Sequence, residues 1–105
     1  MKKYLVAVLP IFMLSFGVSA ATKEQKEQIQ EMRKEVRSIT KEEATSKHIE
    51  LFEAVKADVN KQTCDEFIVF EGAARKEKKI ELMDMEAQNR AFAVKNDCRA
   101  KGFYY

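Results

Sequence analysis

Thr63-Cys64-Asp65-Glu66-Phe67-Ile68-Val69-Phe70 is the stretch on which the fold turns. Four consecutive apolar residues, Phe67 to Phe70, suit a buried strand as well as a helix. Two neighbours favour helix. Thr63 with Glu66 fits a capping box, in which a hydroxyl and a carboxylate satisfy free backbone donors at a helix N-terminus, and Ala73 and Ala74 follow the apolar run. The helix is therefore expected to open at Cys64. Downstream lies the densest charged stretch, Arg75-Lys76-Glu77-Lys78-Lys79, close to the midpoint between Cys64 and the only other cysteine, Cys98. If the chain turns there, two antiparallel helices bring the cysteines together at the open end of a hairpin. Both cysteines also fall on apolar faces, so a structural disulfide is the leading reading. There is no C-x-x-C spacing to suggest a redox pair, and two thiols with one distant histidine fall short of a four-ligand metal site.

The last helix is the most regular in pattern. It carries Ile80, Met83, Ala87, Ala91, Val94 and Cys98 on one face, with Leu82, Met85 and Phe92 beside it, and Gly102 is placed to end it. Before the cysteine hairpin, Thr40 with Glu43 opens a helix presenting Ala44, His48, Phe52, Val55 and Val59, broadened by Ile49 and Leu51. Thr22 with Gln25 opens another, whose apolar residues Ile29, Met32, Val36 and Ile39 form a narrow stripe like a coiled-coil seam. The expected fold class is all-α: a small bundle of three to four helices containing a disulfide-stapled helical hairpin.

The first twenty residues read differently. Lys2 and Lys3, an apolar run from Tyr4 to Val18 and the small residues Val18-Ser19-Ala20 have the form of a secretory signal peptide. The apolar run is too short to span a bilayer comfortably, and no cysteine follows it to carry a lipid anchor. The expectation is a signal peptide over 1–20 and one helical domain over 21–105, periplasmic or secreted, with no stable membrane anchor after cleavage. Without Lys2 and Lys3, the 19 basic residues become 17 and match the 17 acidic ones. The formally neutral domain loses the electrostatic argument for nucleic-acid binding. A chain this short buries a modest core and gains from a covalent staple.

Little in the chain points to catalysis. His48, the only histidine, lies on an apolar stripe with no serine or cysteine nucleophile evidently paired with it. A core-edge imidazole is the favoured reading, with pH sensing as the functional alternative. The carboxylates alternate with lysines at helical spacing, as on an exposed face, and no acid/base dyad stands out. Glycine-rich phosphate loops, metal-ligand runs and nucleophile elbows are absent, so neither an enzyme nor a cofactor is expected. Arg75, Lys76, Lys78 and Lys79 form a solvated turn, the favoured reading, or greet an anionic surface or an acidic partner. The terminal aromatics Phe103, Tyr104 and Tyr105 either fold back on the domain or meet a partner. The candidate partner-binding residues are thus the first helix's Ile29, Met32, Val36 and Ile39, with Phe103, Tyr104 and Tyr105.

Thr63-Cys64-Asp65-Glu66-Phe67-Ile68 resembles the opening of the HdeA/HdeB periplasmic acid-stress chaperones, and Val94-Lys95-Asn96-Asp97-Cys98 looks like the segment around that family's second cysteine. The resemblance implies an all-helical fold, one disulfide between Cys64 and Cys98, and a dimer at neutral pH. In strong acid that dimer would loosen and hold unfolding clients on its apolar surface. Independently of it, acid would neutralise 17 carboxylates and leave the basic residues to repel one another in a domain with a small core. The competing expectation is an accessory interaction protein of an envelope, secretion or conjugation system, or a factor acting on a competitor's envelope. It rests on the narrow stripe of the first helix.

Overall fold

The computed structural model describes residues 22–104, which form four helices: α1 (Lys23–Arg37), α2 (Lys41–Ala57), α3 (Lys61–Lys76) and α4 (Met85–Ala100). The expected signal segment and Tyr105 lie outside the described residues. No strand occurs among the described residues, and the run Phe67–Phe70 is helical. No described helix is long and apolar enough to cross a membrane.

The order of burial explains the arrangement. In α3, Cys64, Phe67, Ile68, Val69, Phe70, Glu71, Ala73 and Ala74 are all buried, so apolar groups wrap much of its circumference. Such a helix needs neighbours on several sides. α1, α2 and α4 each pack on α3, and α2 also packs on α4. α1 docks through Ile29 and Val36, with Met32 partly buried. Its approach is close at Gly72, where an added Cβ would stand 2.7 Å from Ile29 Cδ1.

Local signals set the helix ends, with two corrections to the sequence reading. Thr22 with Gln25 and Thr40 with Glu43 make complete capping boxes. The third box is one turn earlier than expected. Asn60 is the N-cap of α3 and Thr63 its reciprocal partner, because Asn60 Oδ1 accepts from the Thr63 N–H and Thr63 Oγ1 from the Asn60 N–H. Cys64 thereby sits inside the first turn rather than opening it. α4 also starts later than its apolar pattern suggests. Asp84 accepts from the Ala87 N–H as the N-cap, so Ile80, Leu82 and Met83 belong to the connection. Of those three only Ile80 is buried.

Cys64 and Cys98 are joined, with Cα atoms 5.9 Å apart. The bond ties the first turn of α3 to the last turns of α4, the open end of an antiparallel hairpin. In the chain-entropy model, closing a loop of 34 residues contributes about 4 kcal/mol.

Candidate functional site

The polar groups with the most unusual surroundings lie between α2, α3 and α4. His48 follows the buried face of α2 set by Ala44, Leu51 and Val55, and no part of it is exposed. Its ring packs on Phe67 of α3, with centroids 4.7 Å apart. Arg90 of α4 donates from Nε to His48 Nδ1 at 3.0 Å. That bond needs an unprotonated Nδ1, so the neutral ring carries its proton on Nε2. Nε2 is buried and has no hydrogen-bond partner among the described residues. Burial, reinforced by the Arg90 charge and by Arg75, pushes the imidazole down to about 4, against the opposing pull of Glu71 and Asp84.

Glu71 is the complementary group. It is buried within α3 and held by two cations, Arg75 Nε at 2.7 Å and Lys95 Nζ at 3.2 Å. Burial pushes its carboxyl up, but Lys95 and Arg75 together hold it below the usual carboxylate range. Arg75 also donates to the Glu81 carbonyl, and Lys95 lies 5.6 Å from the centre of the Tyr104 ring. A neutral imidazole and an ionised carboxylate are thus both fixed inside the bundle in the states that acid removes.

The residues singled out from sequence for partner contact are largely used within the chain. Ile29, Val36 and Tyr104 are buried, while Met32, Ile39 and Phe103 pack partly buried against the core. The tail folds back. Gly102 (φ +85°) ends α4 in a Schellman motif, with Gly102 N–H donating to Arg99 O and Phe103 N–H to Cys98 O. Arg99 lies 5.1 Å from the Tyr104 ring centre. Tyr105 lies outside the described residues. Buried Gln25 secures this end of the molecule. Its Oε1 accepts from Thr22 N–H, and its Nε2 donates to Asp65 Oδ1 and to Phe103 O.

Two surface features remain. A groove of about 530 Å³ runs between α1, α2 and α3, with Met32, Leu51, Val69 and Phe70 lining it and Glu31, Glu35 and Glu66 among its polar residues. In and after the α3–α4 connection, Leu82, Met83, Met85 and Phe92 are 72%, 81%, 59% and 68% exposed. Among the described residues no group of three or more His, Cys, Asp or Glu side chains is placed to hold a metal ion.

Glu71, Arg90 and Gln25 were missed as long-range contacts in the sequence. The only local trace is the i, i+4 pair Glu71–Arg75, since Arg90 and Lys95 reach their partners through tertiary packing. No family model matches this chain, and no curated protein or solved structure matches it.

Proposed function

We propose that this is a small exported protein-binding protein whose disulfide-tethered bundle opens in acid and then holds unfolding client proteins, acting in the periplasm. The observation that carries the reading is the buried pair of acid-reversible states, neutral His48 and ionised Glu71. Folding depresses the pKa of His48, so the unfolded chain binds this proton more tightly than the fold does. Stability is therefore intact above about pH 6.5 and falls as pH drops towards 4, by up to about 3 kcal/mol. Glu71 adds a loss at lower pH, as the carboxylate that Lys95 and Arg75 hold becomes neutral and leaves two cations without their partner. Cys64–Cys98 would keep α3 and α4 tethered through the opening and speed the return to the fold. The disulfide itself suits an oxidising compartment. The resemblance to the acid-stress chaperones points the same way.

The test is aggregation of an acid-labile client enzyme, followed by light scattering at pH 2–3 and after neutralisation. The oxidised protein at about equimolar ratio is expected to suppress scattering in acid and to have no effect at pH 7. Equal scattering with and without it at pH 2–3 overturns the proposal.

A second reading, an accessory of an envelope, secretion or conjugation assembly, draws support from the acid-lined groove between α1, α2 and α3. Affinity capture separates the two. A stoichiometric partner at pH 7 favours the accessory, and many partners captured only in acid favour the holdase.

A further inference from the structure

The connection between α3 and α4 joins two features that the acid-opening reading does not use. The first is apolar. Leu82 and Met83 are exposed in the connection, and Met85 and Phe92 follow on one outer stripe of α4, seven residues apart and so two turns along the same face. Four large apolar side chains, each more than half exposed, thus lie within eleven residues of chain, three of them within four positions at the tip. The second is charge. Lys76, Lys78 and Lys79 immediately precede the patch, and no carboxylate lies within ion-pair distance of them among the described residues. The acidic residues of the same segment are mostly engaged. Glu77 is held by Arg33 and Arg37, Glu81 by Lys41, and Asp84 caps α4. Glu86 is left as the one acidic side chain there with neither an ion pair nor a capping bond among the described residues. Capping leaves the Asp84 charge in place, so the three lysines face two carboxylates without ion pairs among the described residues, Asp84 and Glu86, and the local excess is positive.

We propose that this tip docks reversibly on an anionic phospholipid surface, Leu82 and Met83 entering the acyl boundary and the lysines meeting the phosphates. The chemistry favours lipid over a protein groove-binder. Leu82 and Met83, 72% and 81% exposed, lie close in the chain to lysines without ion pairs among the described residues, the combination that an anionic, apolar-cored interface takes up. Lysine stems are long enough to lie along the apolar boundary with their ammonium groups among head groups. Each lysine near an anionic surface adds to the attraction, and the screening length confines it to close contact. The contact belongs to the folded state at neutral pH and does not depend on the acid-opening proposal.

The test is flotation of the oxidised protein with vesicles at pH 7 and low salt, comparing phosphatidylglycerol/phosphatidylcholine vesicles with pure phosphatidylcholine. The wild type is expected to float with the anionic vesicles and to be released by added salt. Leu82→Glu/Met83→Glu and Lys76→Glu/Lys78→Glu should each lower partitioning by about tenfold or more, with helical circular dichroism unchanged because all four positions are exposed. Absence of wild-type binding, equal binding to both vesicle types, or undiminished binding by either variant overturns the proposal. So does a concentration-dependent dimer that only Leu82→Glu/Met83→Glu abolishes, which would assign the patch to a second copy.

Discussion

At one end of the α3–α4 hairpin, Cys64 is bonded to Cys98, Gln25 ties α1 to both α3 and the chain terminus, and Gly102 turns the tail inward so that Tyr104 is buried. At the other end, the same two helices are joined by a connection whose Leu82 and Met83 lie in solvent. The contrast extends to the backbone. Both α3 and α4 finish in Schellman motifs, with Lys79 N–H on Ala74 O and Phe103 N–H on Cys98 O. The left-handed position is glycine at the stapled end and Lys78 (φ 60°) at the open one. A lysine there is disfavoured, because its Cβ crowds the backbone as a glycine's hydrogen does not. The stapled end carries the disulfide and the buried tail, whereas the open end is held by Ile80 and the ion pairs of Glu77 and Glu81 and also carries strain, exposed apolar groups and unpaired lysines. The covalent constraint is thus at one end, and the proposed surface contact falls at the other.

Breaking the stapled end should have the largest effect. Cys64→Ala/Cys98→Ala is expected to cost about 4 kcal/mol in denaturant unfolding at pH 7, whereas Leu82→Ser/Met83→Ser at the open end should change stability by less than about 0.5 kcal/mol. Equal losses from the two pairs would erase the contrast. His48, midway between the ends, comes next. His48→Gln keeps an acceptor for Arg90 but removes the titration, so about 3 kcal/mol of the stability lost by wild type between pH 6.5 and 4 should be missing from the variant's pH profile. Gln25→Ala removes the buried amide that accepts from Thr22 and donates to Asp65 and Phe103, at a cost of about 2 kcal/mol by thermal unfolding. The smallest pair sharpens the backbone comparison. Lys78→Gly should stabilise by about 1 kcal/mol and Gly102→Ala should destabilise by about as much, which the sign of the two melting-temperature shifts reports.

The sequence disclosed what short-range chemistry governs. Thr22 with Gln25 and Thr40 with Glu43 are hydrogen-bond pairs three residues apart, and both formed where the pattern put them. Gly102 was legible for the same reason, as a residue suited to φ +85° just past an apolar stripe. Thr63 was misplaced because the motif is degenerate. Asn60, a residue equally fit to cap, lies three positions before it and takes the N-cap role. The early start assigned to the last helix came from reading Ile80 and Met83 by period alone. The chain leaves α3 through Lys78 in the left-handed region, and helical geometry resumes only after Asp84.

The polar cluster was hidden for a different reason. Its members are 42 residues apart for His48–Arg90 and come from three helices, so no window of sequence contains them. His48 read as an imidazole at the core's edge and is in fact wholly buried, since α4 covers the face that α2 and α3 leave open. The narrow stripe of α1 showed a helix needing one neighbour. That α3 supplies a neighbour within the chain followed only from seeing apolar residues around so much of its circumference.

The most direct measurement is a near-ultraviolet circular dichroism titration of the oxidised protein from pH 7 to pH 2, with intact mass recorded throughout. The account predicts that tertiary signal disappears cooperatively below about pH 4, returns on neutralisation, and leaves the disulfide unbroken. A signal that stays unchanged down to pH 2 would contradict it.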